Sequence, residues 1–217
     1  MKLLVIIISH EFTCDYCDNI KILNDYLAGI KDVTVHYGGV SSTDDFHNVE
    51  NVISFKYKMV NPKLQMSKMF HFINEYKSEF DYDWYIKIRP DVKLLEPFNF
   101  EILSDTAINA RARNYIGPKK IKYGLSVNGE GSAWGHIDCC FCNDKEVYLE
   151  LDDIFYIFHQ NVINIGAFDN DSYIDSLERH NEGTQKYIFD SRGIPQNVIG
   201  LHIEFTKYNV FSGHINM

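Results

Sequence analysis

The sequence predicts an α/β protein with a central, mixed but mostly parallel sheet flanked by helices. Three observations carry this reading. Leu3 to Ile8 is a continuous apolar run, the pattern of a central strand covered on both faces. Ile20, Leu23, Leu27 and Ile30 recur at helical spacing, with Gly29 suited to end the helix. A second strand, Val33 to Tyr37, then closes a β-α-β unit.

The remaining elements follow in order. A loop with Gly38, Gly39, Ser41, Ser42, Asp44 and Asp45 precedes a short strand near Val52 to Phe55. Beyond Pro62, the residues Met66, Met69, Phe70, Ile73 and Phe80 mark an amphipathic helix. Trp84 to Ile88 is a strand, and Pro90 stops it because proline cannot donate to a central ladder. The second half is less regular. It carries an expected strand at Ala107 to Ala112, a glycine-rich loop from Gly124 to Gly135 and a cysteine-rich strand from Ile137 to Cys142. Helices are expected from Lys145 to Phe158, from Ser172 to about His180 and near Gln185 to Phe189, with a last strand from Val198 to Phe205. No repeat or linker divides the chain, so one domain over 1–217 is expected.

Bulk properties narrow the function. A chain of 217 residues buries roughly 70% of its unfolded surface and needs neither disulfides nor metals to be stable. A net charge of -9 argues against nucleic acid or an anionic membrane as partner, so an anionic substrate must meet local cations or a metal. The apolar opening is too short for a spanning helix and lacks a cleavage site, and the odd count of five cysteines suits a reducing compartment. The cytoplasm is the expected location.

Ligands of open α/β sheets bind beyond the carboxyl ends of the strands. Two polar groups sit there: Ser9-His10-Glu11 and Arg89-Pro90-Asp91. An Mg²⁺ or Mn²⁺ ion would take Asp91 as an oxygen ligand and complete its shell with phosphate and water. Arg89 would fork onto phosphate or fix the carboxylate. Spacing alone leaves a plain surface turn equally open.

Tyr82-Asp83-Trp84-Tyr85-Ile86-Lys87-Ile88-Arg89-Pro90-Asp91-Val92, preceded by a helix with Gln65 and Lys68, resembles the metal-binding segment of small glycosyltransferases of the GT-A (nucleotide-diphospho-sugar transferase) fold. With Ser9-His10-Glu11 and the element order, the chain is similar more narrowly to glycosyltransferase domains encoded by large DNA viruses of algae, for which the location would be host cytoplasm. The resemblance implies a nucleotide-binding half over about 1–95 and an acceptor half over about 96–217. It implies a UDP-sugar donor, Mn²⁺ or Mg²⁺, and a glycan or glycoprotein acceptor. Arg89 stands where the usual Asp-x-Asp has its first acid.

On that reading Ser9 and His10 meet the base or ribose, and Asp44 or Asp45 the ribose or uracil. Lys68, Arg111 and Arg113 are candidates for phosphate or acceptor contacts. Asp138, heading the strand after the glycine-rich loop, is the candidate base for the acceptor hydroxyl, with Glu182 in reserve. His202 is a candidate further metal ligand beside Asp91. Two literal Asp-x-Asp strings are set aside: Asp81-Tyr82-Asp83 precedes its strand, and Asp169-Asn170-Asp171 reads as a helix cap. Cys14 and Cys17 form a C-x-x-C at a helix start, but the chain is about twice the length of a redox module, and incidental thiols are the simpler reading. Two rivals remain: a nucleotidyltransferase, which would want a basic glycine-rich loop after the first strand, and a non-catalytic nucleotide-sugar or glycan-binding domain.

Overall fold

A computed structural model describes residues 1–9, 17–40, 65–118, 121–122, 125–126, 145–169 and 188–205. The elements, in chain order, are β1 (Lys2–Ile8), α1 (Cys17–Ala28), β2 (Thr34–Val40), α2 (Gln65–Tyr76), β3 (Trp84–Ile88), β4 (Val92–Leu94), β5 (Ile108–Pro118), β6 (Ile121–Lys122), β7 (Leu125–Ser126), β8 (Lys145–His159), α3 (Gln160–Asn164), β9 (Gln196–Val198) and β10 (Ile203–Phe205). A six-stranded sheet runs in the order β2-β1-β3-β8-β5-β9, drawing strands from both halves of the chain. β1 lies parallel to β2 and β3, β5 parallel to β9, and β8 antiparallel to β3 and β5. This is the mixed, mostly parallel sheet with flanking helices that the sequence predicts.

The first strand shows why the sheet is central. Leu3 through Ile8 are fully buried, and they alternate between two cores. Leu4, Ile6 and Ile8 pack with Met69, Phe70, Phe72 and Ile73 of α2 and with Val162 and Ile163 of α3. Leu3, Val5 and Ile7 pack with Ile20, Leu23 and Leu27 of α1. At about 1.5–3 kcal/mol per buried aliphatic side chain, this strand alone contributes on the order of 10 kcal/mol of gross burial. Gly39 of β2 permits its close approach: a Cβ there would lie 2.1 Å from the Ile7 carbonyl oxygen.

Two expectations are corrected. Lys145 to Phe158 is not a helix but most of β8, because Ile154 to Phe158 are all buried and serve both cores as a central strand. Such a run cannot be told from a buried helix by periodicity alone. The expected strand Val198 to Phe205 is two short strands, since β9 pairs with β5 while β10 pairs with β4 in a separate ribbon. The Ala107 to Ala112 strand extends to Pro118, with an irregularity between Ala110 and Ala112. Residues 188–191 are helical, as expected for the end of that segment. The expected strands at Val52 to Phe55 and Ile137 to Cys142, and the helix from Ser172, lie outside the described residues. Among the described residues no helix is long and apolar enough to cross a membrane.

Candidate functional site at the carboxyl end of the sheet

β1 and β3 end side by side. Their last ladder pair is Ile7 with Ile88, so Ser9 and Arg89 lie just beyond two neighbouring strand ends. Ser9 is buried, and its backbone N–H donates to the Val40 carbonyl at 2.9 Å. Arg89 still belongs to the sheet through its N–H, which donates to the Ile154 carbonyl at 3.0 Å. The chain then turns: the Val92 N–H donates to the Arg89 carbonyl at 3.1 Å, with Pro90 and Asp91 at the centre of a hydrogen-bonded β-turn. Proline at the first central position pre-sets the required φ.

The turn is fixed from below. Asn19, 3% exposed in the first turn of α1, donates from Nδ2 to the Pro90 carbonyl at 2.9 Å. It occupies the same buried stripe as Leu23 and Leu27.

Inside this turn Arg89 and Asp91 form a two-pronged pair. Arg89 Nε donates to Asp91 Oδ1 at 3.0 Å and Nη2 to Oδ2 at 2.6 Å. The two side chains keep 23% and 15% exposure, so the pair is shielded but reachable. Fork-on-carboxylate bonds of this kind are the strong class of hydrogen bond.

Two further cations lie on the α2 side of the same sheet end. Alternation along β3 sends Tyr85 to the α2 core and Ile86 and Ile88 to the α1 core, so positions 87 and 89 fall on the α2 side. Lys87 is buried, with its ammonium 5.5 Å from the centre of the Tyr156 ring. Lys68 of α2 is 1% exposed and donates from Nζ to the Ser9 carbonyl at 3.0 Å. Burial pushes its ammonium down from the ordinary 10.5 to about 8, so it stays mostly protonated at neutral pH.

Of the sequence-stated candidates, Ser9, Lys68, Arg89 and Asp91 are thus brought to one end of the sheet. His202 is not brought beside them. It is exposed, precedes β10, and its Nδ1 lies 3.4 Å from Glu96 Oε1. In the β4–β10 ribbon the Leu95 N–H bonds to the His202 carbonyl, four residues along from Asp91, which is roughly 13 Å of strand. His10, Asp44, Asp138 and Glu182 lie outside the described residues. Asp81 and Asp83 lie at the opposite, amino end of the sheet: Asp83 Oδ2 accepts from the Lys2 N–H at 2.7 Å, and Asp81 pairs with the Lys2 ammonium. Asp169 pairs with Lys77 at 2.7 Å. Lys87 was not among the candidates, although a lysine inside the apolar run Trp84 to Ile88 was the signal for it.

A divalent cation needs open carboxylate oxygens at about 2.1 Å for Mg²⁺. Both oxygens of Asp91 face the Arg89 guanidinium, and among the described residues no group of three His, Cys, Asp or Glu side chains could hold a metal.

No family model and no curated protein matches the chain. Among solved structures it is similar to a Drosophila β-1,4-galactosyltransferase 7 mutant in complex with manganese, UDP-Gal and xylobiose, at 10% identity and a TM-score of 0.48. That match covers 91% of this chain and 64% of the other, so the chain spans less than two thirds of that enzyme's length. It is also similar to a glycosyltransferase involved in the glycosylation of the major capsid of PBCV-1, at 8% identity and a TM-score of 0.48, covering 91% of this chain and 81% of that one.

Proposed function

We propose that the chain is a glycosyltransferase that binds a UDP-sugar at the carboxyl ends of β1 and β3 and moves the sugar to a glycan or glycoprotein acceptor. The observation that carries this is the Arg89-Pro90-Asp91 turn, which ends a buried strand at the place where open α/β sheets take their ligands and holds both charges in fixed geometry. The resemblance of residues 82–92 to the donor-binding segment of such enzymes supports the same reading.

On this reading Ser9, His10 and Asp44 contact the nucleoside, while Arg89, Asp91 and Lys68 serve the diphosphate end. Asp138, or Glu182 in its place, takes the proton from the acceptor hydroxyl. In an inverting transfer the acceptor oxygen bonds to the anomeric carbon, and the bond from that carbon to the phosphate oxygen breaks. UDP leaves with the electron pair. Cationic groups held in advance near that oxygen lower the barrier because its charge grows as the bond breaks. A bound Mn²⁺ or Mg²⁺, as the resemblance implies, would supply the same stabilisation of the leaving diphosphate.

The test is UDP release from a panel of UDP-sugars by the wild type and by Asp91→Ala. The expected result is a loss of at least 100-fold in the variant, and equal turnover would refute the assignment. The arginine in place of the first motif acid also favours a second reading, a binding domain without turnover. Tight UDP-sugar binding with no UDP release from any donor would decide for it.

A further inference from the structure

We infer that the part of the β5–β8 ribbon that runs on beyond the other strands is the acceptor platform, and that it takes a neutral oligosaccharide on the face carrying Arg113, Tyr115, Glu146, Tyr148 and Glu150. The inference rests on the transferase reading above and names the place and ligand class of its acceptor.

The ribbon stands at the donor end of the sheet. β3 stops pairing at Ile88, opposite Phe155, and the Arg89 N–H still reaches the Ile154 carbonyl at 3.0 Å. β9 stops pairing at Val198, opposite Ala110. Among the described residues β5 and β8 then run on as a two-stranded ribbon, from Ala112 opposite Leu151 to Pro118 opposite Lys145. Because β8 is antiparallel to both β3 and β5, this extension lies past the carboxyl ends of β1 and β3. Seven consecutive pairs at ~3.4 Å per residue make it roughly 20 Å long, more than a single sugar ring can fill. Glu150 is four residues along β8 from Ile154, at most about 14 Å of strand from the turn that carries Arg89 and Asp91.

The register sorts the ribbon into two unlike faces. Beyond the irregularity at Arg111 the pairing is continuous, so directly opposed residues share a face and the faces alternate along each strand. One face takes Ala112, Ile116, Val147, Leu149 and Leu151, with Asn114 among them. The other takes Arg113 opposite Glu150, Tyr115 opposite Tyr148 and Gly117 opposite Glu146. Antiparallel strands with this alternation turn the apolar face to protein and the polar face to water.

The chemistry of the polar face suits a sugar. A tyrosine gives a rigid, amphipathic contact surface at low entropic cost, flat enough to meet the C–H face of a pyranose ring. Carboxylates accept hydrogen bonds from sugar hydroxyls, and a guanidinium donates to their oxygens. Two carboxylates against one guanidinium leave the face net negative, which disfavours sulfated, sialylated or uronate-bearing chains and selects neutral ones.

The experiment is binding of the full chain to a printed array of neutral, sulfated, sialylated and uronate-containing oligosaccharides. The best-bound neutral member and UDP are then titrated separately by calorimetry. The wild type is expected to prefer neutral members. Tyr148→Ala is expected to weaken that glycan by about tenfold or more, as loss of a central aromatic contact does. Tyr148→Phe, which keeps the ring, should stay within about threefold of the wild type, and Glu150→Gln should lose about fivefold. UDP affinity within about twofold of the wild type shows that each variant is folded, and the isosteric Glu150→Gln carries the test should Tyr148→Ala not fold. Loss of glycan binding with UDP binding kept is a readout that a merely structural role for these residues would not give. A wild type that binds no neutral member, a preference for anionic members, or glycan affinity unchanged in Tyr148→Ala and Glu150→Gln would overturn the inference, and retained UDP binding would leave the donor reading standing. Ribbon-dependent glycan binding without UDP binding by the wild type would remove the donor reading and leave the glycan face in place.

Discussion

Raising the pH should strengthen the wild-type fold relative to Lys68→Met, and the interval over which it does so is fixed by one buried ammonium. Lys68 is 1% exposed, and burial pushes its proton affinity down from 10.5 to about 8. Below about pH 8 both folded and unfolded chains carry the proton, and above about 10.5 neither does. Between those limits the unfolded chain binds a proton that the folded chain does not, so stability rises with pH. At ~1.36 kcal/mol per pH unit the interval sets a ceiling of about 3 kcal/mol. The Nζ is bonded to the Ser9 carbonyl rather than lying in hydrocarbon, which argues for about 1–3 kcal/mol. Urea unfolding of both proteins at pH 7.5, 9 and 10.5 measures it, since the other lysines and the tyrosines titrate in both and cancel in the difference. A wild-type advantage that stays flat or shrinks over this range would refute the placement of the ammonium. The same titration should weaken UDP binding by the wild type above about pH 8, where the field at the site loses a charge.

Asn19→Ala should cost about 1–2 kcal/mol of stability by leaving the buried Pro90 carbonyl without its donor, and should raise the UDP dissociation constant several-fold. Thermal melts and calorimetry check the two halves, and unchanged UDP affinity in a destabilised protein would show that the turn does not need this anchor. Gly39→Ala should cost about 3 kcal/mol or more, because its Cβ would lie 2.1 Å from the Ile7 carbonyl oxygen, a backbone atom of the paired strand that cannot step aside. Gly200→Ala is the control, with nothing within 4 Å of its Cβ, and should change the melting temperature little.

The first half of the fold was legible because its signals are unambiguous. Leu3 to Ile8 is apolar at every position, and α1 and α2 are amphipathic at helical period, so pattern and burial coincide. β8 was not legible as a strand. Val147, Leu151, Ile154, Phe155 and Phe158 fit a helical stripe, while Val147, Leu149 and Leu151 also alternate as in a strand. What decides between them is non-local: β8 is the antiparallel partner of both β3 and β5, and without that pairing neither strand would have a neighbour on that side. The break between β9 and β10 has a similar cause, because one segment serves two sheets.

The site divides along the same line. Ser9, Arg89 and Asp91 could be read as polar residues just past apolar strands, and Asp81 and Asp83 could be set aside because they precede one. The fork between Arg89 and Asp91 could not be read, since two residues apart on a strand share a face but meet only when a turn such as that at Pro90 folds one back on the other. Asn19 was hidden for a different reason: a polar residue in the first helical turn reads as a local cap, not as a donor to a turn 71 residues away.

The central claim is that the ends of β1 and β3 hold a nucleotide diphosphate, and a crystal soaked with UDP and Mn²⁺ tests it most directly. The account predicts the diphosphate beyond the ends of β1 and β3, against the turn that carries Arg89 and Asp91. A nucleotide seated elsewhere on the sheet would contradict it.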